Sequence, residues 1–151
     1  MIEVRAGETV VVHTGEKARV HKGGKVEVYT GGKASVLKGG KANVYARGKA
    51  WIHKDGFVEV HKGGEAVVLD GGIGEVRDGG FAEVLAGAVV VVRDGGWADV
   101  KRGGKAIVHD GGKADVYGGG RATVYPGGKA SGMGQVTYVP MDRANELNPR
   151  F

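Results

Sequence analysis

Residues 103 to 129 read GGKAIVHD, GGKADVYG, GGRATVYP, GGK: two glycines, a basic residue, alanine, a variable place, valine, an aromatic or histidine, and a polar or turn residue. This eight-residue unit can be laid without a gap from Gly7 to Gly134, in sixteen copies. Its sixth place is Val or Ile until Gly132, and its fourth is Ala or Val except at Gly74. Two small apolar places separated by one polar place have the period of a strand with one buried face. A helix would instead carry a glycine pair about every two turns, at a cost of roughly 1 kcal/mol per Gly relative to Ala. Each octad is therefore one short strand and one glycine corner.

Sixteen such strands could form a meander, a propeller or a solenoid, and the inward residues choose among them. In the even copies the fourth place is always Ala, from Ala18 and Ala34 through to Ala130. In the odd copies it is Val10, Val26, Ala42, Val58, Gly74, Val90, Ala106 and Ala122. A difference that follows copy parity means that two octads close one coil. An interior of Ala and Val also fills a thin gap between two facing sheets, whereas a three-sided coil of 24 residues, the second choice, would leave a void. The expected fold is all-β: a flattened two-sheet parallel β-solenoid, β-roll-like, with 16 residues per coil and about eight coils.

With 31 glycines and 3 prolines in 151 residues, glycine is abundant but periodic, which marks turns and not a linker. The absence of cysteine excludes disulfides and thiolate metal sites. The start MIEVRAGETVVVHTGEK lacks a basic region followed by an apolar run, so a soluble cytoplasmic protein is expected, without membrane insertion. A phage or virion origin would give the same signature.

The motif GGKAxVxx resembles that of Gly-rich octapeptide-repeat solenoid proteins, uncharacterised open reading frames of bacteria and their phages, over residues 7 to 134. That resemblance implies a solenoid and little about activity. A looser likeness is to the β-roll repeats of calcium-binding secreted toxins. Their nine-residue unit requires GGxGxD, however, and GGIGEV at 71 to 76 has Glu75 and no aspartate.

Both ends leave the repeat. Ile2 and Val4 keep the inward register and predict a first half-coil. After Gly128 the pattern breaks at Gly132, Met133 and Gly134, and QVTYVP reads as a last irregular strand stopped by Pro140. Asp142 is an N-cap candidate for a short helix-compatible run before Pro149. The domain reading is a solenoid over 1 to 134 and an irregular strand and tail over 135 to 151. An open solenoid end is an unpaired edge, so capping is the ordinary role for this tail; docking a partner is the alternative.

Function then falls to the outward rows, octad places three, five and seven. Place three is basic at Lys17, Lys25, Lys33, Lys41 and Lys49, and again from Lys105 to Lys129. Between these blocks stand Phe57, Glu65, Ile73, Phe81, Val89 and Trp97. With two octads per coil, Phe57, Ile73 and Val89 stack on one face, and Phe81 and Trp97 on the other. The core is already filled, so this clustered apolar belt reads as an oligomeric or partner contact, against a local cover by the tail or scattered surface hydrophobes. Charge follows the same division: net +6 over residues 1 to 62, −3 over 63 to 102, and +2 beyond. An acidic, apolar middle between basic ends suits self-complementary packing.

The ladders Lys17, Lys33, Lys49 and Lys25, Lys41 could instead track a polyanion, although outward lysines also serve solubility and no nucleic-acid motif is present. His13, Tyr29, Tyr45, His61, Arg77, Arg93, His109 and Tyr125 should stack in one row that stabilises a sheet. Neither His13 with His21 nor His53 with His61 shares a face. Asp78, Asp94 and Asp110 precede glycine corners on consecutive coils: either a cation lies between them, or each bonds its own turn and pairs with Arg77 or Arg93. Asp before Gly-Gly is ordinary turn chemistry. No P-loop or Ser/His/Asp arrangement occurs. The expectation is a non-enzymatic assembly module without catalytic residue, metal or cofactor, a homo-oligomer or protein partner, with polyanion or surface binding as the rival.

Overall fold

A computed structural model describes residues 1–141. Asp142 and the helix-compatible run after it lie outside the described residues.

The chain winds as a flattened parallel β-solenoid. The front sheet contains Ile2–Val4, Lys17–Val20, Lys33–Val36, Lys49–Ile52, Glu65–Val68, Phe81–Val84, Trp97–Val100, Lys113–Val116 and Lys129–Ser131. The back sheet contains Thr9–Val12, Lys25–Val28, Lys41–Val44, Phe57–Val60, Ile73–Val76, Val89–Val92, Lys105–Val108, Arg121–Val124 and Gln135–Tyr138. Each strand pairs in parallel with the strand two octads on, as in Lys17↔Lys33 and Phe81↔Trp97. Sixteen-residue coils are thus established and the three-sided alternative is excluded. The octads account for eight coils, and the strands at the two ends, Ile2–Val4 and Gln135–Tyr138, add a ninth.

The core is the thin slab between the sheets. Valines of the sixth place, with Ile52 as the one larger member, are fully buried, and the fourth place supplies Ala from the front and Val or Ala from the back, with Gly at Gly74. Gly74 sits between Val58 and Val90 in register, and a Cβ on it would meet Val58 Cγ1 at 3.0 Å and Val90 Cγ2 at 3.5 Å. The missing side chain makes room for the two valines that flank it.

The corners explain both glycines. The first residue of every octad, glycine except at Arg47 and Asp55, has φ between +62° and +88°, as the third residue of a type II turn requires. The N–H of the second residue closes that turn, as in Gly24 N to His21 O at 2.9 Å. The second glycine answers to stacking: a Cβ on Gly96 would lie 2.4 Å from the carbonyl oxygen of Val76 in the coil beneath.

The two corners with no coil beneath them have Glu8 and Glu16 at this second place, although the strand after Glu16 already pairs with Ile2–Val4. Glu8 Oε1 accepts from Arg5 N at 2.7 Å and Glu16 Oε1 from His13 N at 2.9 Å. One coil later the same two amides bond backbone, His21 N to Val4 O and Tyr29 N to Val12 O, each at 2.9 Å. The carboxylates replace the carbonyls of a preceding coil at an otherwise open ladder.

At the far end Gln135 pairs with Arg121, so the last corner is two residues short. Val136 and Tyr138 take the inward places opposite Ala122 and Val124, and the Tyr138 hydroxyl donates to Ala130 O of the front sheet at 3.3 Å. The ring thus reaches from the back sheet to the front sheet at the last described coil.

Candidate interaction surface

Third- and fifth-place side chains point outward from each sheet, and parallel pairing at roughly 4.8 Å converts every sequence row into a ladder. On the back sheet Ile73 is in register with Phe57 on one side and Val89 on the other. On the front sheet Phe81 pairs with Trp97, their rings edge to face with centroids 5.5 Å apart. Ile73 is 48% exposed and Trp97 47%, whereas Phe57, Phe81 and Val89 are half-buried. The five belt residues therefore form two groups on opposite faces.

Each group is larger than the third place alone indicates. Trp51 and Val67 pair in the fifth row of the front sheet, beside Phe81. Val91 and Ile107 pair in the fifth row of the back sheet, and Val91 shares a strand with Val89. Both faces thus bear a continuous apolar diagonal: Trp51, Val67, Phe81, Trp97 in front; Phe57, Ile73, Val89, Val91, Ile107 behind. The signal for the missed residues was breaks in the polar fifth place, as plain as the breaks in the lysine row.

The basic residues stack as expected, Lys17, Lys33 and Lys49 in front and Lys25 with Lys41 behind. Two are drawn onto the belt. Lys41 Nζ lies 5.5 Å from the Phe57 ring centroid and 3.7 Å from Glu59 Oε1, and Lys49 Nζ lies 5.2 Å from the Trp51 ring. Lys33, Arg47 and Lys49, with Glu65, line a shallow groove of about 370 Å³ along one corner.

Acidic residues make their own ladder. Glu83, Asp99 and Asp115 are successive partners in the fifth row of the front sheet. Burial raises the Asp99 pKa above the ordinary carboxylate value; Asp115 and Glu83 add to the rise, and Lys101 opposes it. Asp99 Oδ1 is buried without a hydrogen bond, while Asp115 Oδ1 accepts from Ser131 Oγ at 2.7 Å.

The seventh place turns out to lie at the corners, mostly half-buried, and not on an open outward face. There His13, Tyr29, Tyr45 and His61 stack face to face with centroids 5.6, 4.8 and 4.7 Å apart, and His109 stacks on Tyr125 at 5.0 Å. Between the stacked pairs, Arg77 and Arg93 both bind Glu75 Oε1, Arg93 through Nε at 3.1 Å. The expected pairing of these arginines with Asp78 or Asp94 is therefore corrected, because Glu75 stands beside them in the adjacent row. Asp94 and Asp110 instead lay a carboxylate oxygen over the first glycine of the next coil, within 2.0 Å of where a Cβ on Gly111 or Gly127 would stand. Asp78 differs, with φ +49° followed by Gly79 at +88°. Burial, with Arg93 second, lowers the His109 pKa. Among the described residues no three His, Asp or Glu side chains converge as a metal site, and no helix is long and apolar enough to cross a membrane.

These features define a parallel β-solenoid with patterned ladders on two flat faces. A crystal structure of a TibC-catalysed, hyper-glycosylated fragment of TibA, residues 55–350, is similar: TM-score 0.50 and 27% identity over 85% of this chain. The chain spans 63% of that fragment's length. No protein-family model matches the chain, and no curated protein does.

Proposed function

We propose that this protein is a non-enzymatic assembly module, a rigid β-solenoid that self-associates through the apolar diagonals centred on Phe57, Ile73 and Val89 behind and Phe81 and Trp97 in front. The observation that carries the reading is their placement: large apolar side chains replace lysine in consecutive coils on the outside of a core that Ala and Val already fill. Likeness to the TibA fragment supports a structural or surface role for such a coil.

The second reading is a polyanion- or surface-binding module, favoured by the Lys17, Lys33, Lys49 ladder and the groove that Lys33 and Lys49 share with Arg47. Salt separates the two. Solution mass by light scattering after gel filtration, for the native chain and for Phe57→Glu and Trp97→Glu, should show an oligomer that persists at high ionic strength and dissolves on substitution. A native monomer at every concentration would overturn the assembly reading. Salt-sensitive retention on a phosphate polymer would then favour the second.

A further inference from the structure

The two diagonals are complementary to each other. The chain crosses the front sheet in one direction and the back sheet in the opposite direction, so front third-place residues lie along the same edge as back fifth-place residues. When a second copy is shifted along the sheet normal without rotation, the front third row meets the back fifth row and the front fifth row meets the back third row. Each front strand then falls midway between the two back strands that flank it in sequence.

In that arrangement Trp97 faces Val91 and Ile107, and Val67 faces Phe57 and Ile73. Charge follows the same register: Asp99 and Asp115 come opposite Lys105 and Arg121, Lys49 opposite Glu59, and Lys17 and Lys33 opposite Glu27. Four unfavourable meetings remain: Glu65 with Glu59 and Glu75, Arg19 with Lys25, Phe81 with Glu75, and Glu83 with Ile73 and Val89. Turning the copy half a revolution about the sheet normal sets Lys33 against Lys105 and Arg121, and Glu83 against Glu59 and Glu75. Pairing identical faces about an axis parallel to the solenoid sets Trp97 on Asp99, or Ile73 on Glu75, so the most exposed residue of each diagonal meets a carboxylate in place of the Val91, Ile107 or Val67 it meets in the unrotated row. Charge and apolar pattern thus select the unrotated arrangement over these three.

We infer that the partner of each face is the opposite face of a second copy in the same orientation, back on front, forming an open-ended lateral row. Such an interface is heterologous and does not close. Nine strands per sheet at roughly 4.8 Å, about 13 Å wide, bury about 500 Å² per partner, near the lower limit for a specific contact. Association is therefore expected to be reversible and concentration-dependent.

This inference rests on the self-association reading, and one set of measurements distinguishes the two. Trp97→Glu blocks the front and Ile73→Glu blocks the back. By sedimentation, the native chain should form species that grow with concentration, while each variant alone should stay at the 15.6 kDa of one chain. Their equimolar mixture should form a one-to-one pair, since each supplies the face the other lacks. A variant that still dimerises alone, or a mixture that fails to pair while the native chain associates, overturns back-on-front stacking and leaves self-association standing. A native monomer at all concentrations overturns both. Circular dichroism checks that each variant is folded; if glutamate unfolds the chain, lysine, native to the same rows at Lys41 and Lys113, replaces it.

Discussion

Gly96→Ala tests why the second glycine of the octad is there. The added Cβ would stand 2.4 Å from Val76 O and 2.7 Å from Val76 C, and the nearest tolerable approach to a carbonyl oxygen is about 3.0 Å. The coil beneath must give way by roughly 0.6 Å, and Val76 O is the acceptor for Arg93 N at 2.8 Å. Overpacking of this kind costs about 1–3 kcal/mol and a weakened backbone bond about 1 kcal/mol more. Loss of unfolded-state entropy on replacing glycine returns about 0.4–1 kcal/mol. The net destabilisation is about 2 kcal/mol, a fall in Tm of roughly 4–8 °C for a chain of this size. Ala88 occupies the equivalent place and is buried, so the ladder can open enough for a methyl and the variant should fold. Glu16→Ala is the control, at the same octad place but with no coil beneath: it loses the bond to His13 N and should cost within about 1 kcal/mol. Thermal unfolding followed by circular dichroism reads both. A Gly96→Ala protein melting with or above the native chain would refute stacking as the reason for this glycine.

The core and the acidic ladder make further predictions. Ile52 is the largest fully buried side chain, in a slab otherwise of valine and alanine, and Ile52→Ala should cost about 2–5 kcal/mol in urea unfolding. A cost below 1 kcal/mol would mean that the slab collapses onto the gap. Asp99 has its folded pKa raised, so the native state holds the proton more tightly than the unfolded chain, whose value is near 3.8. The charged form therefore destabilises the fold at neutral pH, and this penalty disappears as pH falls through the raised value. Asp99→Asn should stabilise at pH 7, with an advantage that narrows in acid; an advantage unchanged between pH 7 and pH 3 would refute the assignment.

Coil size, the register of the octad strands and the inward or outward direction of the third- to sixth-place side chains follow from the octad because backbone period and burial period coincide in it, whereas the seventh place, expected to face outward, lies at the corners. The parity of Ala and Val at the fourth place was sufficient to choose two sheets, and the stacked His13, Tyr29, Tyr45 and His61 rings follow from that choice. The surface was only partly legible. Phe57 and Trp97 stood out as departures from lysine, but Trp51, Val67, Val91 and Ile107 become one surface with them only when the fifth row is laid beside the third. Competition among neighbours was also hidden: Arg77 and Arg93 had aspartates next to them in sequence, yet Glu75 holds both. The shortened last corner depends on where Gln135 finds its partner, which the broken pattern at Gly132 does not specify.

The sequence repeat is half the structural repeat, and this gives insertions and deletions an unusual arithmetic. Removing sixteen residues from the middle of the coil shortens the rod by one rise of the sheets, and every downstream side chain keeps its face and its edge. Removing eight leaves a continuous chain of octads, equally able to wind, but transposes everything downstream from front to back. Trp97 would then align behind Ile73 instead of beside Phe81. A gene built of such units can drift in length by whole turns while preserving the surface, whereas slippage by a single unit recombines two faces into new ones, keeps the sixth-place valine slab and exchanges only the fourth-place Ala and Val between the sheets.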